Sequence, residues 1–173
     1  CYLKSTVKKI YSVILSIAKE VNKAYPVLTY DLPDEICFIT TKELEAMYPN
    51  LSGKERENTI TKEKKAVFLM QIGVPLASGK PHDGRAADYD DWRLNGDLLL
   101  WHAPLNMALE LSSMGIRVDE VALVKQLEVK NELYKLENDY CKSLINKELP
   151  YTIGGGIGQS RLCMLLLGRA HIG

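Results

Sequence analysis

The chain has 173 residues, 46% of them hydrophobic and 25% charged, so one soluble globular unit with a buried core is expected. Lysine plus arginine equals aspartate plus glutamate at 22 each, which leaves no electrostatic footprint for nucleic acid or an anionic membrane. No stretch has the apolar length of a membrane span, no signal peptide is expected, and Cys1, Cys37, Cys141 and Cys163 show neither a C-x-x-C pair nor a metal-ligand spacing to His82, His102 or His171, so free thiols in a reducing cytoplasm are expected.

From the N-terminal side, Leu3, Val7, Ile10, Ile14, Ile17 and Val21 recur at steps of four and three, which predicts a long amphipathic helix laid on a sheet. Asp31-Leu32-Pro33-Asp34 reads as a turn, and Ile36 to Ile39 as a short half-buried strand. Thr40 with Glu43 and Ser52 with Glu55 each form a capping box. The first opens a short helix closed by Pro49, the second a charged helix from Lys54 to Lys65 that reads as a solvated face. Val67 to Ile72 is almost continuously apolar, as expected of a central strand covered on both sides.

The segment from Val74 to Asp91 is long for a connection in a compact domain. It holds His82, Asp83, Arg85, Asp88, Asp90 and Asp91, which suits either a functional loop or an ordinary solvated one. Two strands follow, Asp97 to Trp101 and Met107 to Leu111, joined by a tight connection at Ala103-Pro104. Pairing about that centre sets Asp97 opposite Glu110, and like charges opposed among leucines destabilise a sheet, so a cation is expected between them. That cation is either Mg2+, which takes one or two carboxylates together with phosphate oxygens, or a nearby Lys or Arg such as Arg117. A bulge that turns one carboxylate to solvent is the third alternative. Asp119 then N-caps a helix through Glu128, and a second helix runs from Glu132 to Lys147 with Leu133, Leu136, Tyr140, Leu144 and Ile145 on one face.

Near the end, Gly154, Gly155, Gly156 and Gly158 form a strand that something can approach closely, and Gln159 to Leu167 reads as a helix with its apolar run on a core. A P-loop is excluded because Gly158 is followed by Gln159-Ser160-Arg161, and a G-x-G-x-x-G match from Gly156 fails at Arg161. The helix dipole disfavours a cation in the first turn, so Arg161 is expected to point at a ligand. Cys163 is expected to be a small buried hydrophobe.

The stretch Thr152 to Leu167 resembles motif 3 of the class II aminoacyl-tRNA synthetase fold, in the version found in the aspartate-ammonia ligase family. The resemblance continues through Asp88-Tyr89-Asp90-Asp91-Trp92, Leu94-Asn95-Gly96-Asp97 and Glu110 to Val118, and is nearly continuous from Tyr2 to Gly173. It implies an α+β fold, mainly an antiparallel sheet flanked by helices, with residues 1–173 as part of a single catalytic domain. It also implies a cytoplasmic homodimer that adenylates L-aspartate with ATP and Mg2+, then lets ammonia displace AMP to give L-asparagine. By motif match, Asp97 and Glu110 belong to the ATP and metal site, while Arg161 packs on adenine and meets the polyphosphate. By the same resemblance Asp90 corresponds to the family residue near the substrate amino group and the incoming ammonia, and Arg117 to the one that receives a substrate carboxylate. Gly154, Gly155 and Gly156 form the amino-acid floor, with Ser112 and Ser113 as possible donors and His82 and Arg85 as further candidates from the loop.

The family's motif 1 and its motif 2 arginine would fall before Cys1, the segment between Trp92 and Arg93 is shorter than usual, and a tail would follow Gly173, so a longer enzyme is expected. Two other readings predict different behaviour: a non-catalytic amino-acid or AMP-binding module, and a catalytic fragment of an aspartyl-tRNA synthetase. Ser112-Ser113-Met114-Gly115 after Glu110 and the lack of a basic surface count against the latter.

Overall fold

The computed structural model describes residues 2–28 and 31–172, so Cys1 lies outside the described residues. The chain order is α1 (Tyr2–Ala24), β1 (Cys37–Thr40), α2 (Thr41–Met47), α3 (Gly53–Lys64), β2 (Ala66–Met70), β3 (Asp90–His102), β4 (Met107–Arg117), α4 (Glu120–Lys130), α5 (Asp139–Ile145), β5 (Ile153–Ile157) and α6 (Gln159–Leu167). The five strands form one sheet in the order β1-β2-β3-β4-β5, parallel between β1 and β2 and antiparallel elsewhere. The mainly antiparallel α+β architecture is as expected.

One sheet face carries Phe68, Leu98, Leu100, Leu111 and Met114 against α1, with Leu165 of α6 closing the same cluster. Each such side chain, fully withdrawn from water, contributes roughly 1.5–3 kcal/mol. The buried line of α1 is Leu3, Val7, Tyr11, Ile14 and Ala18, and Ile17 is 41% exposed. Ile17 lies one residue, about 100°, off that line, which the regular four-and-three spacing concealed. The opposite face packs Val67, Leu69 and Leu99 against Leu44 of α2 and Ile60 of α3. A third cluster joins Ala122, Leu123 and Leu127 of α4 to Cys141 and Leu144 of α5 and to Trp92.

Both capping boxes form as the sequence predicts. The charged α3 is less solvated than expected: Arg56 is buried, donating from Nε to the Tyr48 carbonyl at 2.9 Å and from Nη2 to that of Pro49 at 3.0 Å. The single helix expected from Glu132 to Lys147 is broken into a 3-10 turn over Leu133–Glu137 and α5. Asn138 divides them, because its side chain accepts from the Cys141 amide at 2.8 Å and starts a new helix. On α6 only Leu165 is buried, and Cys163 is exposed, contrary to the expectation from the apolar run. Nine residues make two and a half turns, and Cys163 falls on the side away from the sheet.

Candidate functional site

Residues directly opposite in an antiparallel pair point to the same side, so the register defines a functional face. Asp97 faces Ser113, Asn95 faces Gly115, Gly115 faces Gly154 and Ser113 faces Gly156. These residues share the face that α2 and α3 cover farther along, at β1 and β2. The β4–β5 end of that face is where the candidate side chains gather.

The expected opposition of Asp97 and Glu110 is not observed. The register shifts between Leu98 and Leu99, leaving Leu111 as the extra residue of β4, so Asp97 faces Ser113 and Glu110 faces Leu99. The bulge satisfies what a simple hairpin could not: the carboxylates avoid direct opposition, and each gains its own arginine. Arg85, from the loop between β2 and β3, binds Asp97 Oδ2 and donates to Ser113 Oγ at 3.1 Å. Arg161, in the first turn of α6, donates to the Glu110 carbonyl at 2.9 Å and lies 3.5 Å from its carboxylate. Arg117 does not bridge this pair.

Asp97 remains the strained member electrostatically. Burial pushes its carboxyl up to about 6, Arg85 and Ser113 oppose that shift, and the Glu110 charge adds to it. Its Oδ1 is buried without a hydrogen-bond partner among the described residues, as is Arg85 Nε. An orphaned carboxylate oxygen beside a second carboxylate fits a bound cation, which would relieve both the burial and the repulsion. Among the described residues no three His, Cys, Asp or Glu groups converge as a metal site, so these two carboxylates are the charged ligands the protein would offer a cation here. That donor set suits Mg2+ completed by phosphate oxygens better than an all-protein cage.

Next along the face, Arg117 pairs with Asp90 and donates from Nη2 to the Tyr89 hydroxyl at 2.8 Å, its guanidinium 3.8 Å from the Tyr89 ring centroid. Burial holds Asp90 above the ordinary carboxylate range, against the lowering by Arg117. Gly115 makes room for this pair, since a Cβ there would sit 2.7 Å from Asp90 Cγ. The three glycines of β5 serve differently. A Cβ on Gly154 would collide with the Arg117 guanidinium, one on Gly155 would lie 2.6 Å from Met114 Cβ on the core face, and one on Gly156 would meet nothing within 4 Å.

Other candidates fall outside this group. His82 is held by Glu57 of α3, Nε2 to Oε1 at 3.0 Å, and its backbone packs on Gly53, so it tethers the loop that delivers Arg85. Ser112 points to the opposite, core-facing side with Leu98. Arg85 reaches the face from the loop, as Tyr89 does, and its bond partners lie 12 and 28 residues away, where no local sequence signal could indicate them.

A family model described as aspartate-ammonia ligase matches residues 1–173. Curated proteins named aspartate–ammonia ligase from Clostridium tetani and Pediococcus pentosaceus are 60% and 58% identical over 172 and 171 residues, covering 99% of this chain and 50% and 51% of theirs. The chain therefore spans about half the length of the curated relatives it matches. Among solved structures, asparaginyl-tRNA synthetase from Pyrococcus horikoshii is similar with a TM-score of 0.65 at 18% identity, covering 99% of this chain and 43% of that one. The same enzyme complexed with asparaginyl-adenylate gives 0.64 at 17% identity, covering 99% and 42%. At such identity the likeness shows a shared class II synthetase fold and nothing more.

Proposed function

The chain belongs to the aspartate-ammonia ligase family, and on that premise we propose that it carries the substrate face of an enzyme making L-asparagine from L-aspartate, ammonia and ATP. The observation that carries the reading is the pair of arginine–carboxylate couples, Arg85–Asp97 and Arg117–Asp90, side by side over a glycine strand open at Gly156. Such a surface grips carboxylate and phosphate by planar, charge-assisted contacts, which suits adenylation of a carboxylate, a step that needs no side-chain nucleophile.

In this reading Arg117 exchanges Asp90 for a carboxylate of L-aspartate, and Gly154, Gly155 and Gly156 let the substrate lie against backbone. Ser113 donates beside them. Arg161 stacks on adenine with its guanidinium plane and meets the polyphosphate, a role lysine could not fill. Asp97 and Glu110 would hold Mg2+, whose charge offsets that of the polyphosphate when it is bound. The substrate carboxylate oxygen attacks the α-phosphorus, pyrophosphate leaves, and ammonia then forms the C–N bond as the C–O bond to AMP breaks. Asp90, with its carboxyl held above the ordinary range, takes the proton shed by the nitrogen. Most of the acceleration comes from alignment and charge stabilisation.

Residues 1–173 are on this proposal part of one catalytic domain, working as a cytoplasmic homodimer. The test uses the protein at the length of its curated relatives, with ATP, Mg2+ and L-aspartate, with and without ammonium. Pyrophosphate, AMP and asparagine in equal amounts are expected, the asparagine only with ammonium. Binding of L-aspartate and AMP without turnover would replace the ligase reading by the non-catalytic module, and aspartate transferred to tRNA would replace it by the synthetase. Light scattering of the same sample checks the homodimer, and a monomer would refute it.

A further inference from the structure

The Asp90 end of the site is held by a residue 36 positions away. Gln126 on α4 is 6% exposed and spends its side chain on three backbone groups. Its Oε1 accepts from the Trp92 amide at 2.8 Å, and its Nε2 donates to the carbonyls of Ala87 at 2.9 Å and Asp90 at 3.1 Å. These groups bracket Asp90 where the loop enters β3. There the ladder lapses: Asp90 pairs with Arg117 and Asn95 with Gly115, so residues 91–94 lie against Ile116 alone. An interrupted ladder leaves backbone donors and acceptors of both kinds, and a primary amide carries an acceptor oxygen and two donor hydrogens that satisfy both at once.

The other end of the site has separate supports. Arg85 follows the His82–Glu57 tether by three residues, and Asp97 lies within the regular β2–β3 ladder opposite Leu69. Neither is hydrogen-bonded to Gln126, whose anchor nearest to Arg85 is the Ala87 carbonyl two residues on. We propose that Gln126 is the positioning residue for Asp90 and, through it, for Arg117, so that it sets recognition of the amino-acid substrate while the nucleotide end is held independently. This rests on the aspartate reading of the site given above.

The test compares Gln126→Met, of similar length but without the amide, and Gln126→Glu with wild type in the protein at the length of its relatives. Aspartate-dependent ATP–pyrophosphate exchange gives the two Michaelis constants, and thermal melting gives the folded fraction. The expected result for Gln126→Met is a KM for L-aspartate raised about tenfold or more, since misplacement by 1 Å can cost about 100-fold, with the KM for ATP held within about twofold. In Gln126→Glu a carboxyl faces two carbonyl oxygens and titrates upward, its neutral form restoring one donor. Its KM for L-aspartate relative to wild type should therefore grow as pH rises.

Fewer active molecules with both constants unchanged would reduce Gln126 to a structural role, and an equal rise in both constants would refute the separation of the two ends. If Gln126→Met fails to fold, the pH profile of Gln126→Glu decides, and a flat profile overturns the proposal. Should wild type bind L-aspartate and ATP without turnover, the ligase reading falls, and the two dissociation constants measured on the same variants still decide the role of Gln126.

Discussion

The glycines of β5 give a sharp test, because three neighbouring Gly→Ala changes should have three different outcomes. None of the three has a positive φ, so alanine is tolerated by the backbone and only its surroundings matter. At Gly155 the new methyl meets Met114 Cβ at 2.6 Å, the Ser113 carbonyl at 3.1 Å and Met114 Cα at 3.3 Å. These atoms cannot swing aside, so overpacking should cost about 1–3 kcal/mol. In a chain of this size that lowers Tm by about 2–4 °C per kcal/mol. At Gly154 the obstacle is the far end of Arg117, which can rotate toward solvent. The cost is then that of weakening the Arg117–Asp90 pair, whose side chains are 20% and 11% exposed. It falls between the about 1 kcal/mol of an exposed pair and the about 3–5 kcal/mol of a buried one, nearer the lower value because the arginine can rehydrate. At Gly156 nothing lies within 4 Å, so stability should be unchanged or raised by about 0.4–1 kcal/mol through the unfolded chain. Denaturant unfolding and pyrophosphate release, measured together, should separate stability from function. Gly155→Ala should lose stability and keep the activity of its folded fraction, whereas Gly154→Ala and Gly156→Ala should lose at least about tenfold in kcat/KM for L-aspartate with modest changes in stability. Equal destabilisation at Gly155 and Gly156, or full activity in Gly156→Ala, would refute the assignment of this face.

Asp97 supplies a pH test. Its carboxyl titrates at about 6 in the folded chain against 3.8 ordinarily, so folding favours the protonated form, and the associated stability is present below pH 4 and lost as pH rises through 6. Two units correspond to on the order of 3 kcal/mol. The unfolding free energy of Asp97→Asn minus that of wild type should therefore grow by about 2–3 kcal/mol between pH 4 and pH 7, and a flat difference would contradict the burial argument. Arg85→Ala removes the cation that lowers Asp97, so the acid limb of the pH–rate profile should move to higher pH, as stopped-time pyrophosphate assays across the acid range would show. Asn138→Ala should cost about 1 kcal/mol in denaturant unfolding, because its side chain caps the first turn of α5, and an unchanged midpoint would refute the cap.

Most signals that are local are legible in the sequence. The capping boxes at Thr40 and Ser52, the N-cap at Asp119, the apolar run of β2 and the glycine strand with its following helix are all set by chemistry within a few residues, and all form, with β2 ending at Met70, β5 at Ile157 and α6 burying Leu165 alone. The differences arise mostly where a neighbour distant in sequence decides, the local cap at Asn138 being the exception. Ile17 and Cys163 carry apolar side chains, yet the line of contact with the sheet passes beside them. The solvated reading of α3 missed Arg56 and Glu57 because the groups they bind belong to the segments that fold back over them. Glu132 to Lys147 has a helical apolar pattern, but the competing cap at Asn138 cuts it in two.

The candidate site divides in the same way. Residue types fixed its chemistry: two carboxylates among leucines demanded cations, and a run of glycines demanded a close approach, with no structure needed to say so. Which cation meets which carboxylate was decided by a one-residue bulge at Leu111, since a shift of one position in a strand changes every partner along it. Gln126 gave no sign at all, because a glutamine on a helix looks like surface until the fold sets it against an interrupted ladder. Sequence by itself determined the elements, the family and the inventory of reactive groups, whose causes are local or carried in motifs. Only the tertiary structure decided their pairing, because register and packing across the sheet are properties of residues that the chain keeps far apart.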